Sequence, residues 1–320
     1  SEQFPETEFN FIAAGIPSLG STPHAFRFEK DVLEQGIPDL LFIEAAVNDR
    51  TNEFSEKAQV RALEGIVQQM YQKNPKANIV LMAFADPDKS GDYQNGKEPV
   101  EVKVHQQIAR HYGASFLNLA KEVYDRMQAG EFSWDYDFKD LHPSPFGQEI
   151  YFQTIKSLLK SESDGSKAPF KLPAALDSYA YNQGHYESVS RAITKKGFEV
   201  IAHWKPKDQL STRTGFVDVP ILEGNGAGSS FEFEFEGRGI GLAIISGGDA
   251  GSISYRIDGG KKRTLDLKTK WSSQLHLPWY LMLDDELKGG KHKLFVEISK
   301  NTALLKNQEA VRIVHFLVNQ

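Results

Sequence analysis

An apolar run at residues 40–47 that ends in the polar pair Asn48-Asp49 most constrains the fold of this chain. Polar residues flank the run on both sides, and a helical pattern follows it. Such a bounded apolar run is typical of a strand buried in a parallel sheet. We therefore expect Asn48 and Asp49 at the carboxyl end of this strand, where open α/β sheets bind their ligands.

Strand and helix patterns alternate through the first half of the chain, which indicates βαβ units and an α/β fold with a parallel sheet. Further strands are predicted at 9–14, 78–84 and 115–119. Helices are predicted at 25–34, 54–73, 100–111 and 147–160, and a short helix is predicted from the end of the strand 115–119 to residue 128. Polar loops are predicted at 86–99 and 130–146.

The periodicity changes in the second half, where Phe231, Phe233 and Phe235 alternate with glutamates. This alternation predicts half-buried strands, and Asp258-Gly259 is a strong hairpin signal. We predict an α/β domain at 1–160, a linker rich in serine and glycine at 161–173, and an antiparallel β-sandwich at 174–320.

Composition narrows the possible functions. The 320-residue chain has a formal net charge of -6, which argues against a nucleic-acid partner, and it has no run long and apolar enough to suggest a membrane partner. It has no cysteine, which excludes disulfides, thiolate metal sites and a cysteine nucleophile. No histidine and carboxylate spacing suggests a metal, and no cofactor is expected.

Two polar stretches are candidates for chemistry. His142 lies two residues after Asp140 and directly before a proline. This arrangement suits a general base oriented by a carboxylate, and the alternative is an ordinary surface histidine. Asn48 and Asp49 follow the predicted strand, and alone each could simply cap the turn after it. Ser18 and Gly20 could present backbone N–H groups to an anion, or could serve turn geometry alone.

These stretches together resemble the SGNH, or GDSL-type, hydrolases. Residues 13–22 look like the second block of that family, Val47-Asn48-Asp49 like the third, and Asp140-Leu141-His142-Pro143 like the last. The resemblance covers roughly residues 5–160 and implies a flavodoxin-like sheet. It assigns His142 as the catalytic base, Asp140 as the residue that orients it, and Asn48 with the Ser18 N–H as the oxyanion hole. The second half resembles the jelly-roll sandwiches attached to carbohydrate esterases of this kind.

Three features depart from the family pattern. The first block, Gly-Asp-Ser, is not found, so we expect the nucleophilic serine upstream of Ser1, after an export signal. Ser18 stands where the family usually has glycine, although its backbone N–H could still donate. Asp140 lies two positions before His142 instead of three, so Asp137 is a second candidate for the orienting carboxylate.

The resemblance implies a secreted or periplasmic serine esterase that removes acyl groups, with acetyl favoured, from a carbohydrate. The alternative is a non-catalytic carbohydrate-binding or scaffold protein that keeps the fold without the nucleophile. Trp271, Trp279 and Tyr280 could stack on sugar rings, or could belong to the core of the sandwich.

Overall fold

The computed structural model describes residues 6–161, 171–300 and 309–320. The first half contains a three-stranded parallel sheet of order β1-β2-β3, formed by β1 (Leu40–Glu44), β2 (Asn78–Met82) and β3 (Ser115–Leu117). Leu40 pairs with Asn78 and Val80 with Ser115, so the carboxyl ends of the strands lie at one edge. The predicted α/β architecture is therefore confirmed.

Seven α-helices of the described part surround this sheet: α1 (Ser21–Phe28), α2 (Ala46–Thr51), α3 (Glu56–Lys73), α4 (Pro87–Gln94), α5 (Val100–Tyr112), α6 (Leu119–Gln128) and α7 (Pro145–Ser161). Two π-helical turns, Glu29–Leu33 and Trp134–Phe138, follow α1 and precede α7. Helix α3 begins where Ser55 Oγ accepts the Ala58 N–H, an N-cap that satisfies a free donor of the first turn.

Three local predictions were wrong. Residues 9–14 form no strand, and Phe9 and Phe11 are exposed, because a strand needs a neighbour to bond its backbone and none of the described strands pairs with this segment. The region 86–99 is not only a loop, since Asp86 caps α4 and Pro87 occupies its first turn. Strand β1 ends at Glu44, so Asn48 and Asp49 lie in the short helix α2 and not on the strand.

The second half is an antiparallel sandwich, as predicted. One sheet has the order β11-β10-β13-β8-β5, and the other has the order β12-β9-β14-β7-β6 with β4 also paired to β14. The strands are β4 (Gly184–Ser188), β5 (Ile193–Lys196), β6 (Phe198–Trp204), β7 (Val219–Asn225), β8 (Ser230–Glu236), β9 (Gly239–Ser246), β10 (Ser252–Ile257), β11 (Arg263–Asp266), β12 (Leu277–Asp284), β13 (Lys291–Ile298) and β14 (Ala310–Asn319).

The sheet that contains β9 is covered on both faces. Ile244 and Phe316 belong to the core between the two sheets, whereas Ile245 and Leu317 belong to a core shared with Phe26 of α1. Helix α1 contacts both β4 and β14. The sandwich is therefore docked directly on the α/β half through a continuous apolar core.

Charged groups reinforce this docking. Arg61 of α3 is buried and pairs with Asp177 at 2.9 Å, with Asp285 at 2.7 Å and with Glu286 at 2.6 Å. Glu64, one turn later, accepts the backbone N–H groups of Leu176 and Asp177. Most of the predicted linker 161–173 lies outside the described residues, and its boundaries stay predictions.

Candidate active site

Helix α2 places the Asn48 side chain just beyond the carboxyl end of β1. The helix starts at Ala46, one residue after the chain leaves the strand region. Asn48 is half-buried, and its side-chain amide has no hydrogen-bond partner within residues 6–161, 171–300 and 309–320. Its donors are therefore available to a ligand.

The loop that carries Ser18 and Gly20 is fastened to the same helix. Asp49 Oδ1 accepts the Ser21 N–H at 2.7 Å and the Ser21 hydroxyl at 2.9 Å. Asn52 Nδ2 donates to the Ser18 carbonyl at 2.9 Å. A Cβ on Gly20 would collide with the Asp49 carboxylate, so only glycine allows this close approach. The structure thus brings Ser18 and Asn48 to one junction between loop and helix.

Ser18 itself adopts a left-handed backbone conformation, with φ of 74°. Its carbonyl is taken by Asn52, while its N–H has no partner in the described part of the chain. Left-handed geometry is uncommon for residues other than glycine and is often found at functional sites. The free N–H is consistent with the donor role that the sequence predicts for Ser18.

Asp49 is the most perturbed acid of this region. Burial raises the pKa of Asp49 to about 7; the hydrogen bonds from Ser21 oppose the rise, and Glu44 and Glu101 add to it. Asp49 Oδ2 is buried and has no partner among the described residues. Sequence reasoning gave Asp49 a turn-capping role, whereas the structure makes it the anchor of the loop at 18–21.

The His142 loop is built on a buried aromatic anchor. Phe138 ends the π-helical turn and is fully buried, and Ser144 returns to it through an N–H bond to the Phe138 carbonyl at 2.9 Å. His142 stands at the tip of this loop, with its side chain 87% exposed. Such exposure makes the imidazole accessible to a substrate.

Asp140 lies beside His142 but does not hydrogen-bond its ring. Asp140 Oδ1 accepts the backbone N–H of His142 at 3.1 Å, while its distance to His142 Nδ1 is 3.6 Å, beyond a hydrogen bond. The second candidate, Asp137, accepts the N–H and the hydroxyl of Ser133 and so holds the preceding turn together. Asp140 is therefore the carboxylate better placed to orient His142.

A series of hydrogen bonds links the carboxyl end of β1 to α7, the helix that follows the His142 loop. Glu44 Oε1 accepts the N–H groups of Val47, at the start of α2, and of Phe84, just after β2. The Ala85 N–H next to it donates to the Tyr151 hydroxyl of α7, the helix that follows His142. Burial raises the pKa of Glu44, and Lys89 opposes that rise.

Two contributors to the site were missed by sequence reasoning. Asn52 lies in the polar stretch after Asp49, directly after α2, and could have been suspected from that position. Arg213, from the sandwich, donates through Nη2 to the Ser18 hydroxyl at 2.8 Å. Arg213 lies in no recognisable motif, and 195 residues of sequence separate it from Ser18. Its contact with Ser18 could therefore be found only in the structure, where the sandwich packs on the α/β half.

The aromatic candidates divide between core and surface. Tyr280 is buried and Trp279 packs against the sandwich core, whereas Trp271 is exposed. Trp271 neighbours Lys270, whose Nζ lies 3.2 Å from Glu53 just after α2. Across the described ranges, no helix is long and apolar enough to cross a membrane, and no group of three or more His, Cys, Asp or Glu side chains could hold a metal.

Comparison with known proteins places this arrangement in context. Residues 1–150 match the model of the GDSL-like lipase/acylhydrolase family. Two crystal structures of a two-domain esterase (CEX) active on acetylated mannans, one co-crystallized with mannopentaose, share the fold with a TM-score of 0.78; identities are 22% and 21%, over 100% of this chain and 82% of theirs. No curated protein matches. The α/β half of this chain therefore matches the GDSL-like lipase/acylhydrolase family model, and the whole chain shares the fold of a two-domain esterase.

Proposed function

We propose that the protein is a serine esterase that removes acetyl groups from a carbohydrate. His142 is the general base, Asp140 orients it, and Asn48 with the Ser18 N–H forms the oxyanion hole. The nucleophile of this reaction is a serine hydroxyl, and no serine hydroxyl of the described residues is hydrogen-bonded to the His142 ring. The fold and the family of the α/β half support ester hydrolysis as the reaction.

The observation that carries the proposal is a pair of unoccupied donors on one rigid support. The Asn48 amide and the Ser18 N–H both lack partners within the described residues, while Asp49 and Asn52 hold the loop of Ser18 against the helix of Asn48. Donors fixed in advance stabilise a developing negative charge because they need no reorganisation during the reaction. An ester carbonyl acquires such a charge when a hydroxyl adds to it.

The roles proposed for His142, Asn48 and Ser18 define the steps of ester hydrolysis. His142 takes the proton of the serine hydroxyl as the serine oxygen adds to the acetyl carbonyl carbon. The oxyanion of the tetrahedral intermediate accepts hydrogen bonds from Asn48 and Ser18. His142 gives its proton to the sugar oxygen as the bond between that oxygen and the acetyl carbon breaks, so the sugar leaves as a hydroxyl and an acetyl-serine ester is left. Water activated by His142 hydrolyses this ester, releases acetate and restores the serine.

The edge of β1 supports a further strand beside it. Within the described ranges β1 pairs only with β2, and Leu40 and Phe42 of β1 are exposed. Sheet edges with exposed apolar side chains are normally covered. A strand paired there would bring its own carboxyl end to the edge where Asn48 lies, which suits a strand that delivers the nucleophile.

The choice of substrate rests on the structural relatives. The esterase whose crystal structures match the full length of this chain is active on acetylated mannans. Both halves of this chain take part in the match, and exposed Trp271 offers a ring on which a sugar could stack. Acetylated mannan is therefore the first substrate to test.

One observation favours a second candidate, a carbohydrate-binding protein without catalysis. His142 Nδ1 lies 3.6 Å from Asp140, and no serine hydroxyl of the described residues is hydrogen-bonded to the His142 ring. In an apo site catalytic hydrogen bonds are often long, so this geometry is compatible with both candidates. Activity, and not binding, separates them.

The test is acetate release from acetylated mannan and from p-nitrophenyl acetate by the full-length natural protein. The His142→Ala variant should lose turnover and keep its melting temperature, because the side chain is exposed. His203→Ala, an equally exposed histidine beside Asp218, is the matched control and should keep full activity. Turnover of His142→Ala within a few-fold of the parent would overturn the proposal, and a folded but inactive natural protein would favour the second candidate.

A further inference from the structure

We propose that Arg213 of the sandwich is a positioning residue that holds Ser18 in its catalytic conformation. This inference rests on the proposed function and extends it, because it makes the sandwich part of the catalytic machinery. A hydrogen bond from Arg213 Nη2 to the Ser18 hydroxyl, 2.8 Å long, joins the two halves at the oxyanion loop.

Ser18 needs such support because of its backbone. Its φ of 74° lies in the left-handed region, which side chains with a Cβ adopt only at an energetic cost. Asn52 holds the Ser18 carbonyl from the α/β half, and Arg213 holds the hydroxyl from the sandwich. With both groups fixed, the Ser18 N–H is the group left to point at a ligand.

Arg213 is itself presented on a fixed turn. Thr212 pairs with His276 across the sandwich, and the Phe216 N–H donates to the Arg213 carbonyl at 3.2 Å. Phe216 is buried in the core cluster that includes Leu19, the residue after Ser18. The turn and the oxyanion loop therefore contribute to the same apolar core.

The charge of Arg213 suits the same role. A guanidinium stays protonated at any working pH, and this one lies one hydrogen bond from the residue that donates to the oxyanion. Arg213 Nε is buried without a partner in the described part of the chain, so part of the cation is not neutralised there. The permanent charge makes the bond to the Ser18 hydroxyl a charge-assisted hydrogen bond, which is stronger than one between neutral groups.

The experiment measures kcat and KM of the natural protein on p-nitrophenyl acetate, a substrate too small to need a glycan-binding surface. Arg213→Ala should lower kcat about 10- to 100-fold with KM within about twofold, since a misplaced donor costs less than a missing one. Arg213→Lys should recover part of kcat, because an ammonium can still donate to the hydroxyl. Lys57→Ala is the control: it also removes an ion pair between the halves, on α3, and should leave kcat unchanged.

Coupling to Ser18 separates positioning from a general structural role. Glycine adopts left-handed φ without cost, so in a Ser18→Gly background the change Arg213→Ala should lower kcat by less than threefold. An equal loss of kcat in both backgrounds would overturn the proposal. A rise in KM with unchanged kcat would overturn it too, because it would make Arg213 a substrate contact.

The outcome is distinguishable from failure of the proposed function. If Arg213→Ala keeps full kcat while His142→Ala is inactive, Arg213 has no positioning role and the esterase assignment stands. If His142→Ala is as active as the parent, the assignment itself fails. If Arg213→Ala does not fold, Arg213→Lys and Ser18→Ala test the same hydrogen bond from its two ends, and full kcat in both would overturn the proposal.

Discussion

Asp49 accepts two hydrogen bonds from Ser21, one from the backbone N–H and one from the hydroxyl, across 28 residues of sequence. One carboxylate thereby fixes the loop that precedes α1 to the helix that carries Asn48. The same carboxylate is buried, and its second oxygen has no partner among the described residues. Ionising this buried carboxylate costs free energy of folding, so the contribution of Asp49 to the stability of the fold should depend on pH.

The first prediction concerns this pH dependence. The pKa of Asp49 is raised to about 7 by burial, from 3.8 in the unfolded chain. A raised pKa stabilises the fold at pH below 3.8, and that contribution is lost as the pH rises through about 7. Asp49→Asn keeps an oxygen acceptor for Ser21 and removes the charge. Its melting temperature relative to the parent should therefore increase between pH 5 and pH 8.

Thermal denaturation at pH 5 and pH 8, at equal ionic strength, measures this difference. Asp88→Asn removes an exposed carboxylate, 77% accessible, that pairs with Arg50 and not with a histidine, and serves as the control whose difference should be the same at both pH values. If the Asp49→Asn difference were also independent of pH, the buried carboxylate would not titrate in this range.

The second prediction concerns Asn48. Removing one oxyanion donor typically lowers kcat on the order of 10²–10³-fold, and KM changes little because the charge exists only in the transition state. Asn48→Ala should follow this pattern at an unchanged melting temperature, since the amide has no partner in the described structure. Asn95→Ala, which removes an exposed amide bonded to the Gly91 carbonyl at the end of α4, is the matched control for kcat. A lower melting temperature with normal kcat would instead make Asn48 structural.

The third prediction separates the two carboxylates near His142. Asp140→Asn should lower kcat with little effect on stability, because Asp140 is exposed and its only described neighbours are in its own loop. Asp137→Ala should lower the melting temperature, because it removes both bonds to Ser133. The two variants are compared by denaturation and by turnover of p-nitrophenyl acetate. A reversal of the two effects would make Asp137 the orienting residue.

Much of this fold was predictable from local sequence patterns. The apolar run at 40–47 predicts a buried strand, and the alternating phenylalanines at 231–235 predict a half-buried one. Both predictions work because the period of apolar side chains reflects which faces are buried. The pattern failed at 9–14 and 86–99. The segment 9–14 has no strand to pair with in the described structure. The helix α4, within 86–99, is polar and has little apolar periodicity by which to predict it.

The candidate site was predictable only in part. His142, Asp140, Asn48 and Ser18 came from short motifs; the structure places Ser18 beside the helix of Asn48, and Asp140 beside His142 in a separate loop. What no local pattern could supply is the support around them. Asp49 bonding Ser21 and Arg213 bonding Ser18 are contacts between distant segments, which depend on how the halves pack and not on neighbouring residues.

The last prediction tests whether the sandwich is an independent unit. Its six-stranded sheet is apolar on both faces, and the outer face is covered by the α/β half: Ile245, Val314 and Leu317 share a core cluster with Phe26. An isolated fragment 174–320 would expose this face, and large exposed apolar patches cause association. We expect the fragment to self-associate in size-exclusion chromatography and to bind a hydrophobic dye.

Two adjacent residues provide the matched comparison. Ile245→Asp places a charge on the outer face and should make the fragment more soluble, whereas Ile244→Asp buries a charge between the two sheets and should prevent folding. In the full chain Ile245→Asp should lower the melting temperature, because the same position is buried there against the α/β half. A fragment that is monomeric and binds no dye without any substitution would show that the outer face does not need its partner.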